Sequence, residues 1–154
     1  MIRASTKRLV RSIFVLRCGY CSLSEDEIGA ELTFDHFQPI AAGGSDEADN
    51  IVYACHACNE FKGEYWNESE QSRLLHPLRD EVFRHIEELE TGILAGLTQL
   101  GENYIAQLKL NRRPLVQYRL QKRVRSQINQ QFLGIDALLD QIVIRLNRIE
   151  KRKR

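Results

Sequence analysis

The sequence predicts an α+β fold, mostly helical, in a chain of 154 residues. Three observations lead there. Two Cys-x-x-Cys pairs, Cys18/Cys21 and Cys55/Cys58, bracket short segments of alternating polarity. Apolar residues recur every three or four positions near both ends, the period of a helix packed along one face. Composition is that of an ordinary globular chain, 43% apolar and 28% charged, large enough to bury a core.

Ser5 to Arg17 carries Leu9, Val10, Ile13, Phe14 and Leu16 at helical spacing, with Lys7, Arg8 and Arg11 between them, so it reads as a basic amphipathic helix. Cys18-Gly19-Tyr20-Cys21 is a knuckle turn, in which Gly19 supplies backbone freedom. Ser24 before Glu25-Asp26-Glu27 is a capped helical turn ending near Gly29. Glu31–Phe37 alternates as a strand, with Leu32, Phe34 and His36 on one face and Thr33, Asp35 and Phe37 on the other. Pro39 ends it, and Gly43-Gly44-Ser45-Asp46 is a loop. Asn50–Ala54 is a second strand, and Cys55–Tyr65 a helix whose first turn holds the second knuckle.

Beyond these, Trp66–Leu78 reads as a linker, Arg79–Glu90 as a helix, Gly92–Thr98 as a short strand and Glu102–Leu110 as a helix. Pro114 suits a helix start, and Leu115–Lys153 is helical throughout. Along it Ile135, Leu138, Ile142, Leu146 and Ile149 form a seam, which packs either on the body of the same chain or on a second copy or protein partner. The expected segments are 1–17, a basic helix; 18–66, the cysteine-bearing core; 67–111, an extension; and 112–154, a basic helical region.

Charge is unevenly placed. Residues 1–17 carry five basic and no acidic side chains, residues 18–111 five and eighteen, and residues 112–154 twelve and three. The basic ends either meet a polyanion or pair with the acidic middle. No stretch has the length of a membrane span, so no membrane is expected. Arg11 interrupts the apolar run Leu9–Leu16, so no secretory leader is expected either. With all four cysteines in short-spaced pairs, the chain reads as cytoplasmic and reduced, because a disulfide between positions i and i+3 closes a strained loop.

Four thiolates from two knuckles complete a tetrahedral zinc shell, and a closed shell activates no water, so the expected zinc is structural. Thirty-three residues separate the knuckles and contain Asp35-His36. Adjacent strand residues point to opposite faces, so these two do not share one ion by ideal strand geometry. The carboxylate of Asp35 and the amide oxygen of Asn59 suit a hard cation such as magnesium. An imidazole such as that of His36 is the usual proton acceptor near neutral pH. A cation and a base are the parts that phosphodiester hydrolysis needs.

Leu32-Thr33-Phe34-Asp35-His36-Phe37-Gln38-Pro39, Gly43-Gly44, Asp49-Asn50-Ile51-Val52 and Cys55-x-x-Cys58-Asn59-x-x-Lys62-Gly63, after the first Cys-x-x-Cys, together resemble the HNH endonuclease signature from Cys18 to Gly63. The stretches Gly92–Thr98 and Leu108–Arg112 are similar to an extension seen in small bacterial proteins of that family. The resemblance implies a ββα-metal core, a structural zinc held by the four cysteines, and DNA as the partner. It implies His36 as general base, Asp35 and Asn59 as ligands of catalytic Mg2+ or Mn2+, Asn50 as the residue that braces the loop and orients His36, and Lys62 as a phosphate contact. Asn59 stands where many members have His, which favours magnesium or manganese over softer metals. The alternative is a zinc-stabilised nucleic-acid-binding module that does not cut. His56, His76 and His85 are expected to be structural or solvent-facing.

Overall fold

The computed structural model describes the backbone of residues 1–152 and the side chains of residues 1–136 and 138–144. Residues 1–116 form one compact unit and a second begins at Gln117. In chain order the elements are α1 (Ala4–Ile13), α2 (Glu25–Ile28), β1 (Thr33–His36), β2 (Ile51–Ala54), α3 (His56–Lys62), β3 (Ile86–Glu88), β4 (Leu94–Gly96), α4 (Gln99–Gln107) and α5 (Arg113–Arg152). This is the expected mixed α+β architecture.

β1 and β2 pair antiparallel, with Asp35 opposite Val52 and His36 opposite Ile51. β2 is buried at every position because α1 lays Val10 and Phe14 into the same core, with Leu74, Leu75, Tyr104, Leu108 and Leu110. α3 follows β2 after a single residue, Cys55, and packs on β1. Strand, strand and helix therefore form a ββα unit.

Local chemistry explains the ends of these elements. α1 stops at Ile13 because Val15 and Leu16 adopt positive φ (50° and 58°), earlier than the periodicity predicts. α2 carries a complete capping box, Ser24 with Glu27, and ends on Gly29 in the left-handed region. Cys55 caps α3 through its sulfur, which accepts from the Cys58 N–H, so the second knuckle and the helix start are one structure.

The expected helix over Arg79–Glu90 is a correction. That stretch holds a 3-10 turn at Val82–Arg84 and then β3, which pairs with β4 in the register Ile86↔Gly96. Asp80 takes the His76 N–H and both Arg73 guanidinium nitrogens, which ties the chain back before a helix can start. Phe83, which a helix would have buried, is 70% exposed. Weak helix propensity lost to tertiary pairing.

The second unit is α5 from Gln117 onward. Ile135, Leu138 and Ile142 of the expected seam are exposed. Leu146 and Ile149, and the terminal run Lys151–Arg154, lie outside the residues whose side chains are described. No helix among the described residues is long and apolar enough to cross a membrane.

Candidate metal centres and active-site cleft

Both knuckles reach one point. The sulfurs of Cys18, Cys21, Cys55 and Cys58 lie within 4.8 Å of one another, and none is in a disulfide. The first knuckle is held by Cys18 N to Leu23 O and Gly19 N to Tyr53 O, both 2.8 Å. A Cβ on Gly19 would sit 2.5 Å from the Phe14 ring and 2.9 Å from Val52, so only glycine lets this turn approach the core. Sulfur-to-sulfur hydrogen bonds, first of all the Cys18–Cys55 bond at Cys55 and the Cys18–Cys21 bond at Cys18, hold those two thiols below their ordinary range. Hydrogen bonds to Cys18 push Cys21 and Cys58 above it. Four crowded thiols do not all ionise unaided, and a dication at their centre relieves that conflict. The donor set is compatible with tetrahedral zinc.

Arg112 adds a cation to the cluster. Its Nη2 donates to Cys58 Sγ at 3.4 Å, and its guanidinium also lies 5.4 Å from the Phe61 ring centroid. His56, within the second knuckle, is exposed and belongs to no ligand cluster among the described residues.

A separate cleft of about 260 Å³ is lined by Phe34, Asp35, His36, Asn59, Gly63 and Glu64, together with Pro39 to Ala41. Asp35 and His36 are adjacent residues of β1, yet both line it. The Asn59 amide nitrogen donates to Thr33 Oγ1 at 3.1 Å, which fixes the side chain. Asp35, Asn59 and Glu64 all line the cleft, and carboxylate and amide oxygens are the donor types a magnesium-like cation takes.

Asp35 is 5% exposed and already engaged. Its Oδ2 accepts from the Tyr20 hydroxyl at 2.5 Å and its Oδ1 from Lys62 Nζ at 3.1 Å. Burial pushes the Asp35 carboxyl up and the Lys62 ammonium down, and their mutual attraction opposes both shifts. Each carboxylate oxygen keeps a second lone pair. Lys62 is a correction to the sequence reading. It is 1% exposed, and its other donors go to the carbonyl oxygens of His36 (2.5 Å) and Gly63 (3.4 Å), so it has no path to a DNA phosphate.

Asn50 is buried and makes three hydrogen bonds: its Oδ1 accepts from Gln38 N, and its Nδ2 donates to Gln38 O and Ser45 O. It touches the loop rather than His36. The residue after Ser45, Asp46, places Oδ1 2.8 Å from His36 Nε2. Gly44 is obligatory in this turn, since a Cβ there would sit 1.8 Å from Gln38 O. Sequence reasoning places Asp46 only in a loop and Tyr20 only in the knuckle turn, and assigns neither a role at the cleft. Spacing alone gave no signal for either.

His76 is buried, its Nδ1 accepts from Leu78 N, and burial lowers its pKa to about 4, so it is neutral and structural. His85 bonds Thr98. At the basic N-terminal end Arg3, Arg11 and Arg17 pair with Glu47, Glu25 and Glu27, so much of that charge is met internally. Lys7 is exposed, its Nζ 5.4 Å from the centroid of Phe34 at the cleft.

A ββα unit stands beside a four-cysteine cluster that could hold a metal ion. Residues 18–64 match the family described as HNH endonuclease. The Septu protein PtuA of Bacillus mycoides (strain KBAB4) is 26% identical over 145 residues, covering 75% of this chain. The chain spans about one fifth of that relative, 20% of its length. No solved structure matches the chain significantly.

Proposed function

We propose that this chain is an endonuclease that hydrolyses DNA phosphodiesters, with His36 as general base and a divalent cation, Mg2+ or Mn2+, held by Asp35 and Asn59. The observation that carries this reading is the convergence of Asp35, His36 and Asn59 on one cleft, within a segment that matches the HNH endonuclease family. The four cysteines would hold a structural zinc.

His36 does its work through two different nitrogens. With Nε2–H donating to Asp46, Nδ1 is left as the acceptor for a proton from water. The deprotonated oxygen attacks phosphorus, one P–O ester bond breaks, and the leaving oxygen takes a proton from solvent. Asn50 acts at one remove: by holding Gln38 and Ser45 it sets the loop that presents Asp46 to His36. Lys62 fixes the carboxylate of Asp35 and the carbonyl of His36 to the end of α3. When bound, the cation neutralises charge that develops on the phosphate. Lys7 supplies a cation at the cleft for the DNA backbone.

One observation favours the non-cutting alternative, a zinc-stabilised nucleic-acid-binding module: both Asp35 oxygens are already hydrogen-bonded. Plasmid nicking separates the two readings. With Mg2+ or Mn2+ the wild type is expected to nick and linearise DNA, and His36→Ala to lose about 10²- to 10⁴-fold in rate with its melting temperature and zinc content intact. Salt-sensitive DNA binding with equal, metal-independent behaviour of both proteins establishes the alternative.

A further inference from the structure

Tyr20 is the second spacer of the first knuckle, between two zinc-type ligands, and it is 5% exposed. The ring meets Tyr104 of α4 edge-on, at 6.4 Å between centroids. The backbone on either side is pinned: Gly19 N to Tyr53 O, and Ser22 N to Cys18 O, both 2.8 Å. The hydroxyl donates to Asp35 Oδ2 at 2.5 Å. Lys62 holds the other oxygen.

A buried carboxylate with one donor on each oxygen does not rotate about its terminal bond, so the unoccupied lone pairs point in fixed directions. One of the two donors comes from the knuckle whose own shape depends on the four-sulfur centre. The hydrogen bond thus couples the structural centre to the catalytic one through a single side chain. Partners of this kind, donors to a ligating carboxylate, commonly matter about as much as the ligand's own geometry.

We propose that Tyr20 is a positioning residue: its hydroxyl orients Asp35 for the divalent cation and makes that orientation depend on the zinc knuckle. The inference rests on the reading of Asp35 as a cation ligand.

The test measures cation binding directly, without turnover. Mn2+ is titrated into the zinc-loaded full chain and the free ion followed by electron paramagnetic resonance, for wild type, Tyr20→Phe, Tyr104→Phe and Asp35→Asn. The expected result is about a tenfold weaker Mn2+ affinity for Tyr20→Phe, at unchanged zinc content. Tyr104→Phe, which removes a different buried hydroxyl from the same cluster, is expected to bind as wild type. Asp35→Asn is expected to lose the site, and Tyr20→Phe to add nothing in that background. Wild-type affinity in zinc-loaded Tyr20→Phe overturns the inference while leaving Asp35 as a ligand. Wild-type affinity in Asp35→Asn, or no Mn2+ binding at all, overturns the ligand reading and the inference with it. Should Tyr20→Phe fail to retain zinc, the wild type alone decides. Saturation with Mg2+ is expected to shift the buried hydroxyl proton of Tyr20 in the NMR spectrum and not that of Tyr104; a fixed Tyr20 resonance at saturation overturns the inference.

Discussion

Four sulfurs and the Asp35–His36–Asn59 set occupy the same small domain, but they are built differently. The sulfur cluster draws every donor from two Cys-x-x-Cys turns, and those turns are fixed through backbone N–H groups: Gly19 to Tyr53, Cys58 to Cys55. The cleft draws its donors from a strand end and a helix, and each is oriented by another side chain: Asp35 by Tyr20 and Lys62, His36 by Asp46, Asn59 by Thr33. A shell completed by the protein holds a fold together. A set that leaves positions open holds a substrate, and it needs neighbours to keep it in place. The difference teaches that damage to the first should appear as unfolding, and damage to the second as lost chemistry in a folded protein.

The largest effect tests the first half of that contrast. Cys55→Ser, or chelation of the metal, is expected to abolish the cooperative thermal transition of residues 1–116, since structural zinc binds zinc-finger peptides with about 10–16 kcal/mol that becomes folding free energy. Calorimetry with a zinc assay checks it; a folded, zinc-free protein breaks the comparison. Asn50→Ala lies between the halves. Losing three partly buried hydrogen bonds should destabilise the unit by about 1–3 kcal/mol and slow plasmid nicking by more than that destabilisation explains, because Asp46 is released from His36. Denaturant titration beside a nicking assay separates the two contributions.

A smaller effect sharpens the account of the cleft. Lys7→Ala should weaken DNA binding evenly across sequences and reduce the salt slope of the binding constant by about one, with no change in stability. Fluorescence anisotropy at several salt concentrations reads both. The smallest effect belongs to neither centre and serves as a control. Glu25 accepts from Arg11 and from the Tyr53 hydroxyl, and the bond from Arg11 is the main reason its pKa falls from 4.5 to about 2. A depressed carboxylate pKa gives stability that is fully present above 4.5 and lost as pH falls towards 2. Acid unfolding followed by circular dichroism should therefore begin at higher pH in Glu25→Gln, with zinc content at neutral pH unchanged.

Much of the ββα unit was legible because its signals are local. Pro39, the alternation from Leu32 to Phe37 and the cysteine spacing each act within a few residues, and the strands and α3 fall where those signals put them. The segment Arg79–Glu90 was misread because its structure depends on a pairing with Leu94–Gly96 that no residue within it encodes. The same holds inside the cleft. The resemblance implies a phosphate contact for Lys62, and only the fold shows its ammonium closed off among Asp35 and two carbonyls.

The sequence by itself determined the donor types: four thiols in two knuckles, one carboxylate, one imidazole and one amide in a family order. Donor chemistry is a property of residue type and spacing, so it survives without coordinates. The tertiary structure decided how each donor is aimed. Tyr20, Asp46 and Arg112 lie 15, 10 and 54 positions from the groups they touch, Asp35, His36 and Cys58. Contacts over such separations arise from packing, which a reading of neighbouring residues does not contain.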